Sequence, residues 1–319
     1  MNFKEITTIQ LSEMSSILQT IGQNNSYDFD NNSNFYILDR IKKELLKFDS
    51  SGKYIDRFNI NYSDFQETYG VGTLNINNDT ILISDSFNTS VLKFNTDGKY
   101  LGTKNLENYN ISPFWPLSFG KNYINSGTVR KKYDYNTDGA KFIKEVSLFD
   151  SNFDFIKTLC RDSICMDKSK EYDPGNFGLI SYNSGDRAYI YRTSKEKYEV
   201  IVFNTKGDSI FTIKKEYQKV PYSEEHKKMI AELGGGGNMK HKVEFKNSIH
   251  NILPDKYGRL WVRSSVNYPE DGKYYDIFVN KKLIGRQKLS INDSEIPTFV
   301  KDKLVCFNYP KKTLTIYSY

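Results

Sequence analysis

Cysteine is scarce. The 319 residues hold three, Cys160, Cys165 and Cys306, and an odd count without regular spacing does not make a disulfide scaffold. The one pairing left open is Cys160 with Cys165, across Arg-Asp-Ser-Ile, in an oxidising compartment. Histidine is equally short: His226, His241 and His250 fall in or just after a single segment, so a three-histidine metal site with ligands from several repeats is not expected. No stretch of about 18 apolar residues occurs, which leaves no helix to span a membrane. The opening MNFKEITTIQLSE has neither an apolar signal core nor a lipobox, as would also hold for a chain from which a signal had been removed. Missing too are a Gly-x-Ser-x-Gly nucleophile elbow and a Gly-x-x-x-x-Gly-Lys phosphate loop.

Charge of either sign is present but not gathered. Lys and Arg number 45 against 39 Asp and Glu, a net +6, and the basic residues are spread along the chain. Scattered lysines at alternating positions are the solvated faces of sheets, whereas a nucleic-acid binder shows a basic stripe with stacking aromatics. No nucleic-acid partner is expected. Hydrophobic residues reach only 38% and mean hydropathy is −0.62, yet 24 Tyr and 21 Phe are available. Large rings can therefore supply the core that Leu and Ala do not.

The organising stretch is ILISDSFNTSVLKFNTDGKYL, residues 81–101. Apolar and polar residues alternate in each run, and the Asp97-Gly98 pair suits a turn needing positive φ. Residues 35–55, FYILDRIKKELLKFDSSGKYI, repeat the pattern, with Asp39 where Asp85 stands, Phe48 where Phe94 stands and Gly52 where Gly98 stands. Phe149, Phe203 and Phe278 mark later copies, at successive offsets of 46, 55, 54 and 75 residues. The last offset contains an insertion of roughly 32 residues, 217–248; without it the spacing falls to about 43, inside the 40–50 residue period of propeller blades. The expected fold is all-β: one six-bladed β-propeller over residues 1–319, made of four-stranded antiparallel blades. Residues 3–11 are expected to close it as the outer strand of the last blade, since a sheet edge must be protected.

The blades fall at about 16–61, 68–106, 113–160, 177–215 and 248–290, with 296–319 joining the N-terminal strand as the sixth. Within the insertion, Ser223 followed by EEHKKMIAEL predicts a short helix with Ser223 as its N-cap. Four glycines, 234–237, end it. The insertion is either a lid over one face or a surface elaboration.

Residues 36–40 (YILDR), 48–52 (FDSSG), 83–88 (ISDSFN), 94–98 (FNTDG) and 252–262 (ILPDKYGRLWV) carry a resemblance. The central segment is similar to NHL-type propeller repeats, and the whole chain resembles six-bladed β-propeller proteins abundant in Bacteroidota, many of them lipoproteins. That resemblance implies an exported protein of the periplasm or cell surface, with a possible lipid anchor on its precursor, and it transfers no catalytic residue.

Candidate site residues come from strand ends and loops. Arg40, Arg192 and Arg263 follow second strands, and Arg130 occupies a comparable region of the third blade; such guanidinium groups can hold a carboxylate, sulfate or phosphate, or pair with an Asp of a neighbouring blade. Trp115, between two prolines, is the candidate exposed aromatic, while Trp261 in an apolar run reads as core. Asp39 and Asp85 read as carboxylates accepting backbone amides at a corner. The turns at 49–52, 95–98 and 134–139 resemble calcium loops but lack the terminal bidentate Glu, and read as hairpins. The expected function is non-enzymatic: a monomer binding a small molecule, glycan or protein at the mouth of the funnel, with no cofactor. Two alternatives stand beside it: a calcium-dependent lactonase-like hydrolase or NHL-type lyase with Asp39 and Asp85 among its ligands, and a purely structural interaction domain.

Overall fold

Each of the five phenylalanines that mark the repeat lies on the third strand of an antiparallel sheet. The structure, a computed structural model, describes residues 3–11, 27–60, 71–85, 89–109, 111–112, 114–129, 139–167, 178–233, 244–265, 273–289, 291, 295–308 and 310–319. They form the six blades of a β-propeller. Five blades are four-stranded, four of them meanders of consecutive strands; the third has the same path with the short strand Leu117–Phe119 added beside Asn122–Val129.

The sixth blade is completed as the edge argument requires. Lys4–Gln10 pairs antiparallel with Thr313–Ser318, from Lys4 opposite Ser318 to Gln10 opposite Thr313. Leu11 extends the pairing by donating its amide to the Lys312 carbonyl at 2.9 Å.

The chain divides into two compact units, one with Met1–Ser118, Ser151–Phe153 and Ser290–Tyr319, the other with Phe119–Asp150 and Asp154–Leu289. In the first unit, one apolar cluster joins blade 6 (Ile9, Val305, Phe307) to blade 1 (Phe35, Ile37, Phe48), and a second joins Tyr36 and Leu38 to Ile81, Ile83 and Phe94 of blade 2. In the second unit, Tyr189, Tyr191 and Val202 of blade 4 pack with Ile252, Leu260 and Phe278 of blade 5. Rings thus form much of the packing between adjacent blades, which is how so hydrophilic a chain builds a core.

The turn after each marker explains its glycine. Asn95 caps its own hairpin by accepting the amides of Asp97 and Lys99, at 3.1 and 2.8 Å, and Asp49 and Asn204 act in the same way. Gly52, Gly98 and Gly207 take φ of 83°, 78° and 76°. An outer-strand side chain lies over each: a Cβ on Gly98 would stand 2.2 Å from the Phe58 ring, and one on Gly207 2.7 Å from Leu159. Blade 3 reverses the arrangement. There Phe153 occupies the left-handed position, at φ 62°, and its own buried ring fills the space, edge-on to Phe114 at 6.2 Å and beneath the Lys93 ammonium.

Two details depart from the sequence reading, and a third, the start of blade 1 near residue 16, lies outside the described residues. Strand Phe155–Asp167 carries blade 3 seven residues past Cys160. Cys160 and Cys165 lie on that one strand, opposite Val146 and Lys141; five residues of extended chain place them about 16 Å apart, too far to bridge, and Cys160 is a free thiol. Blade 1 begins, among the described residues, at Tyr27–Phe29. The helix of the insertion is where it was expected, at Glu224–Leu233, with Ser223 Oγ accepting the His226 amide at 3.3 Å. The glycines 234–237 lie outside the described residues.

Candidate functional site

The corner between second and third strands is where the sequence placed its charged candidates, and the ladders put those corners in common register. Phe35 faces Phe48, Ile81 faces Phe94, and Ala188 faces Phe203. Counting on from these pairs, Arg192 of blade 4 stands where Asp39 and Asp85 stand in blades 1 and 2. Four residues separate Asp39 from Glu44, its partner across the ladder, whereas six separate Arg192 from the equivalent Glu199.

In blade 1 the corner is closed on itself. Asp39, 1% exposed, accepts the amides of Ile41 and Lys42, each at 3.0 Å. This is the corner-capping role, with the carboxylate oxygen satisfied by backbone. Arg40 follows it, its Nε buried, and burial lowers its guanidinium to about 10. Asp85 is equally buried opposite Ser90. Among the described residues no group of three or more His, Cys, Asp or Glu side chains converges as a metal-ligand set, and Asp39 is already used by its turn. Trp115 is half-exposed beside the buried Phe114. Trp261 is core, fully buried, its indole N–H donating to the Asp255 carboxylate at 3.0 Å. Arg130 lies outside the described residues.

In blade 4 the corner is open. A cavity of about 250 Å³ lies against blade 3's outer strand, with Leu179, Ile190 and Ile201 as its apolar wall and Arg161, Arg192 and Lys197 as its cations. Cys160, Ser194 and Glu199 complete the lining. The two guanidinium groups are held from behind. Arg161 donates through Nε and Nη2 to one oxygen of Glu145, at 2.9 and 2.6 Å, while Ser147 and Thr158 hydroxyls donate to the other at 2.7 Å each. Burial would raise the Glu145 carboxyl, but the hydrogen bonds from Thr158, Ser147 and Arg161, with the Arg161 charge, hold it below the usual carboxylate range. Arg192 pairs through Nε with Asp162 at 3.3 Å and donates from Nη2 to the Arg161 carbonyl at 3.4 Å.

The anchoring carboxylates are withdrawn and the cations are not. Glu145 and Asp162 side chains are 5% and 13% exposed, against 61% and 58% for Arg161 and Arg192. Both guanidinium groups keep an Nη1 that makes no hydrogen bond among the described residues. Rigid donors fixed by buried acids, beside an apolar wall, are suited to an organic anion. The Cys160 thiol in the same cavity is pushed up to about 11 by burial, against the Arg192 charge, so at neutral pH it is held mainly as the thiol and reacts slowly.

Of the predicted residues that are described, Arg192 alone borders this cavity. Arg263 is half-exposed on blade 5, in the ladder opposite Asn251. Burial, followed by the charges of Arg263, Lys273 and Lys246, lowers the His250 imidazole and keeps it neutral. Arg40 and Trp115 belong to the other compact unit. Arg161 and Lys197 were missed by sequence reasoning. The signal that could have found the site is the pair of extra residues in the blade 4 corner.

No family model and no characterised protein sequence matches the chain. Solved structures do. A member of the DUF4221 family from Bacteroides vulgatus superposes with a TM-score of 0.57 at 12% identity, over 99% of this chain and 97% of that one. A virginiamycin B lyase from Staphylococcus aureus gives 0.50 at 10% identity, over the whole of both chains. At such identities the likeness is one of fold.

Proposed function

We propose that this chain is a non-enzymatic propeller that binds a small organic anion in the blade 4 cavity. The observation that carries the reading is the pair of exposed guanidinium groups, each anchored by a largely buried carboxylate and both lining one cavity with an apolar wall. The cavity's 250 Å³ lies below the roughly 300–1,000 Å³ of pockets for drug-sized ligands. Its occupant in this reading is a small molecule, or the acidic tip of a larger one, with no cofactor. The family resemblance adds a location outside the cytoplasm, in the periplasm or at the cell surface, which fractionation of the native host tests.

Cys160 makes the binding reading testable without knowing the ligand. In a Cys165→Ser background, with peptide mass spectrometry reading Cys160, alkylation by iodoacetate is compared with alkylation by neutral iodoacetamide of similar size. An anion-attracting cavity favours iodoacetate, relative to a free thiol, by about threefold or more at low salt, and the preference shrinks with added salt. Arg192→Ala should remove most of it. A ratio equal to that of a free thiol, unchanged by the substitution, would overturn the proposal.

A further inference from the structure

The insertion between blades 4 and 5 meets the protein at a neck, and the neck is built against this cavity. Pro221 and Phe245 form an isolated antiparallel bridge, with the Tyr222 amide donating to Glu244 at 3.0 Å and the Lys246 amide to Val220 at 2.8 Å. Facing it is the blade 4 corner, residues 194–197. The corner has a local cap: Ser194 Oγ accepts the amides of Glu196 and Lys197, at 3.1 and 3.0 Å.

Three of the four residues of that corner are bonded to the neck. The Ser248 amide donates to the Ser194 carbonyl at 2.6 Å, and the buried Ser248 hydroxyl donates to the Lys197 carbonyl, also at 2.6 Å. Lys219 pairs with Glu196 at 2.6 Å while its ammonium stands 5.5 Å from the Phe245 ring centre. Lys195 is 7% exposed, and the charge of Glu244 partly offsets the burial that lowers its ammonium. Ser194 and Lys197 are themselves part of the cavity lining. A surface elaboration needs only two chain ends close together, so three hydrogen-bonded or ionic contacts to one four-residue loop call for another account.

We infer that the neck of the insertion is a positioning element for the cavity, with Ser248 and Lys219 setting the 194–197 corner and hence the width of the cavity and the placement of Lys197. The inference rests on the reading of the cavity as an anion site, and it turns the insertion from an ornament into the part through which that site can be adjusted. Ser248 is a positioning residue: it lines nothing and acts through the two carbonyl groups it holds.

The test uses the same two alkylating agents on the full chain. Ser248→Ala, which keeps the amide bond to Ser194 and loses the hydroxyl bond to Lys197, should raise the iodoacetamide rate at Cys160 about threefold or more as the corner relaxes. It should also lower the iodoacetate preference about twofold. Lys219→Ala should move both in the same direction by less, and Lys219→Arg should restore them. Melting temperature is measured alongside, because a merely structural role would shift it and leave the ratio alone. Unchanged rates and ratio in Ser248→Ala would overturn the inference. If Arg192→Ala leaves the preference intact, the anion reading fails instead, and the neck is judged on the iodoacetamide rate alone. Should Ser248→Ala fail to fold, Lys219→Ala against Lys219→Arg decides the matter, since that pair is exposed.

Discussion

The second-to-third-strand corner is a different object in blade 1 and in blade 4, although the ladders that carry it run in the same register. In blade 1 a buried carboxylate caps four connecting residues and the corner ends there. In blade 4 an arginine takes the same place, two residues are added, and the cap passes to Ser194 and to the neck of the insertion. Inverting one charge makes the corner reach outward, to Asp162 of the preceding blade, instead of inward to its own amides. A site in this fold can therefore arise without any change to the strands, by unfastening one corner.

The frame that carries the blade 1 corner can be broken most severely at Gly98, where blade 2 meets blade 1. Gly98→Ala places a methyl within the Phe58 ring at a positive φ, and is expected to cost about 3 kcal/mol or more in denaturant unfolding. Gly185→Ala, at φ +59° with nothing within 4 Å, should cost only about 1 kcal/mol. Asp39→Ala strips a buried corner of its cap and should cost about 2 kcal/mol, while Arg192→Ala at the matching position, where the guanidinium is exposed and Asp162 keeps its bond to the Ser163 amide, should cost about 1 kcal/mol or less. Equal losses at the two corners would erase the distinction between them.

Acidity sharpens the same contrast, because blade 1 keeps a second carboxylate inside. Asp28 accepts the Ile76 amide at 2.6 Å and the Phe29 amide at 2.8 Å. Burial raises its carboxyl to about 6, against the pull of Lys301 and those two amides. Since the folded state holds this proton more tightly than the unfolded chain, its stabilising effect is complete below about pH 4 and is lost as pH rises through about 6. The stability of the wild type relative to Asp28→Asn should accordingly fall between pH 4 and 7, by on the order of 1–2 kcal/mol; a flat difference would remove the shift. Ser194→Ala should cost about 0.5–1 kcal/mol in stability while widening the cavity, read as faster iodoacetamide labelling of Cys160.

Much of the frame was legible because it is local. Phe48, Phe94 and Phe203 each precede a turn whose Asp or Asn and Gly have to recur together, since one supplies the cap and the other the left-handed backbone. The closing strand followed from the need to cover an edge. The cavity was not legible, because it joins residues with no common motif: Arg161 reads as one more outward lysine or arginine, and only the packing of blade 3's outer strand against blade 4 places it beside Arg192. Phe153 hid for a different reason. An aromatic side chain in a turn position looks like an exception in the sequence, and becomes intelligible only once its ring is seen filling the joint that a glycine elsewhere leaves to its neighbour.

The pairing of Lys4–Gln10 with Thr313–Ser318 makes one sheet out of segments some 300 residues apart. Its formation is the most distant encounter the chain must make, and hence the step at which folding is slowest to commit. Until then the Thr313–Ser318 edge stands ready for any extended segment, the same strand of another molecule included. Exchange of that strand between two chains, trapped by refolding at high concentration, is the dimer this architecture would make first.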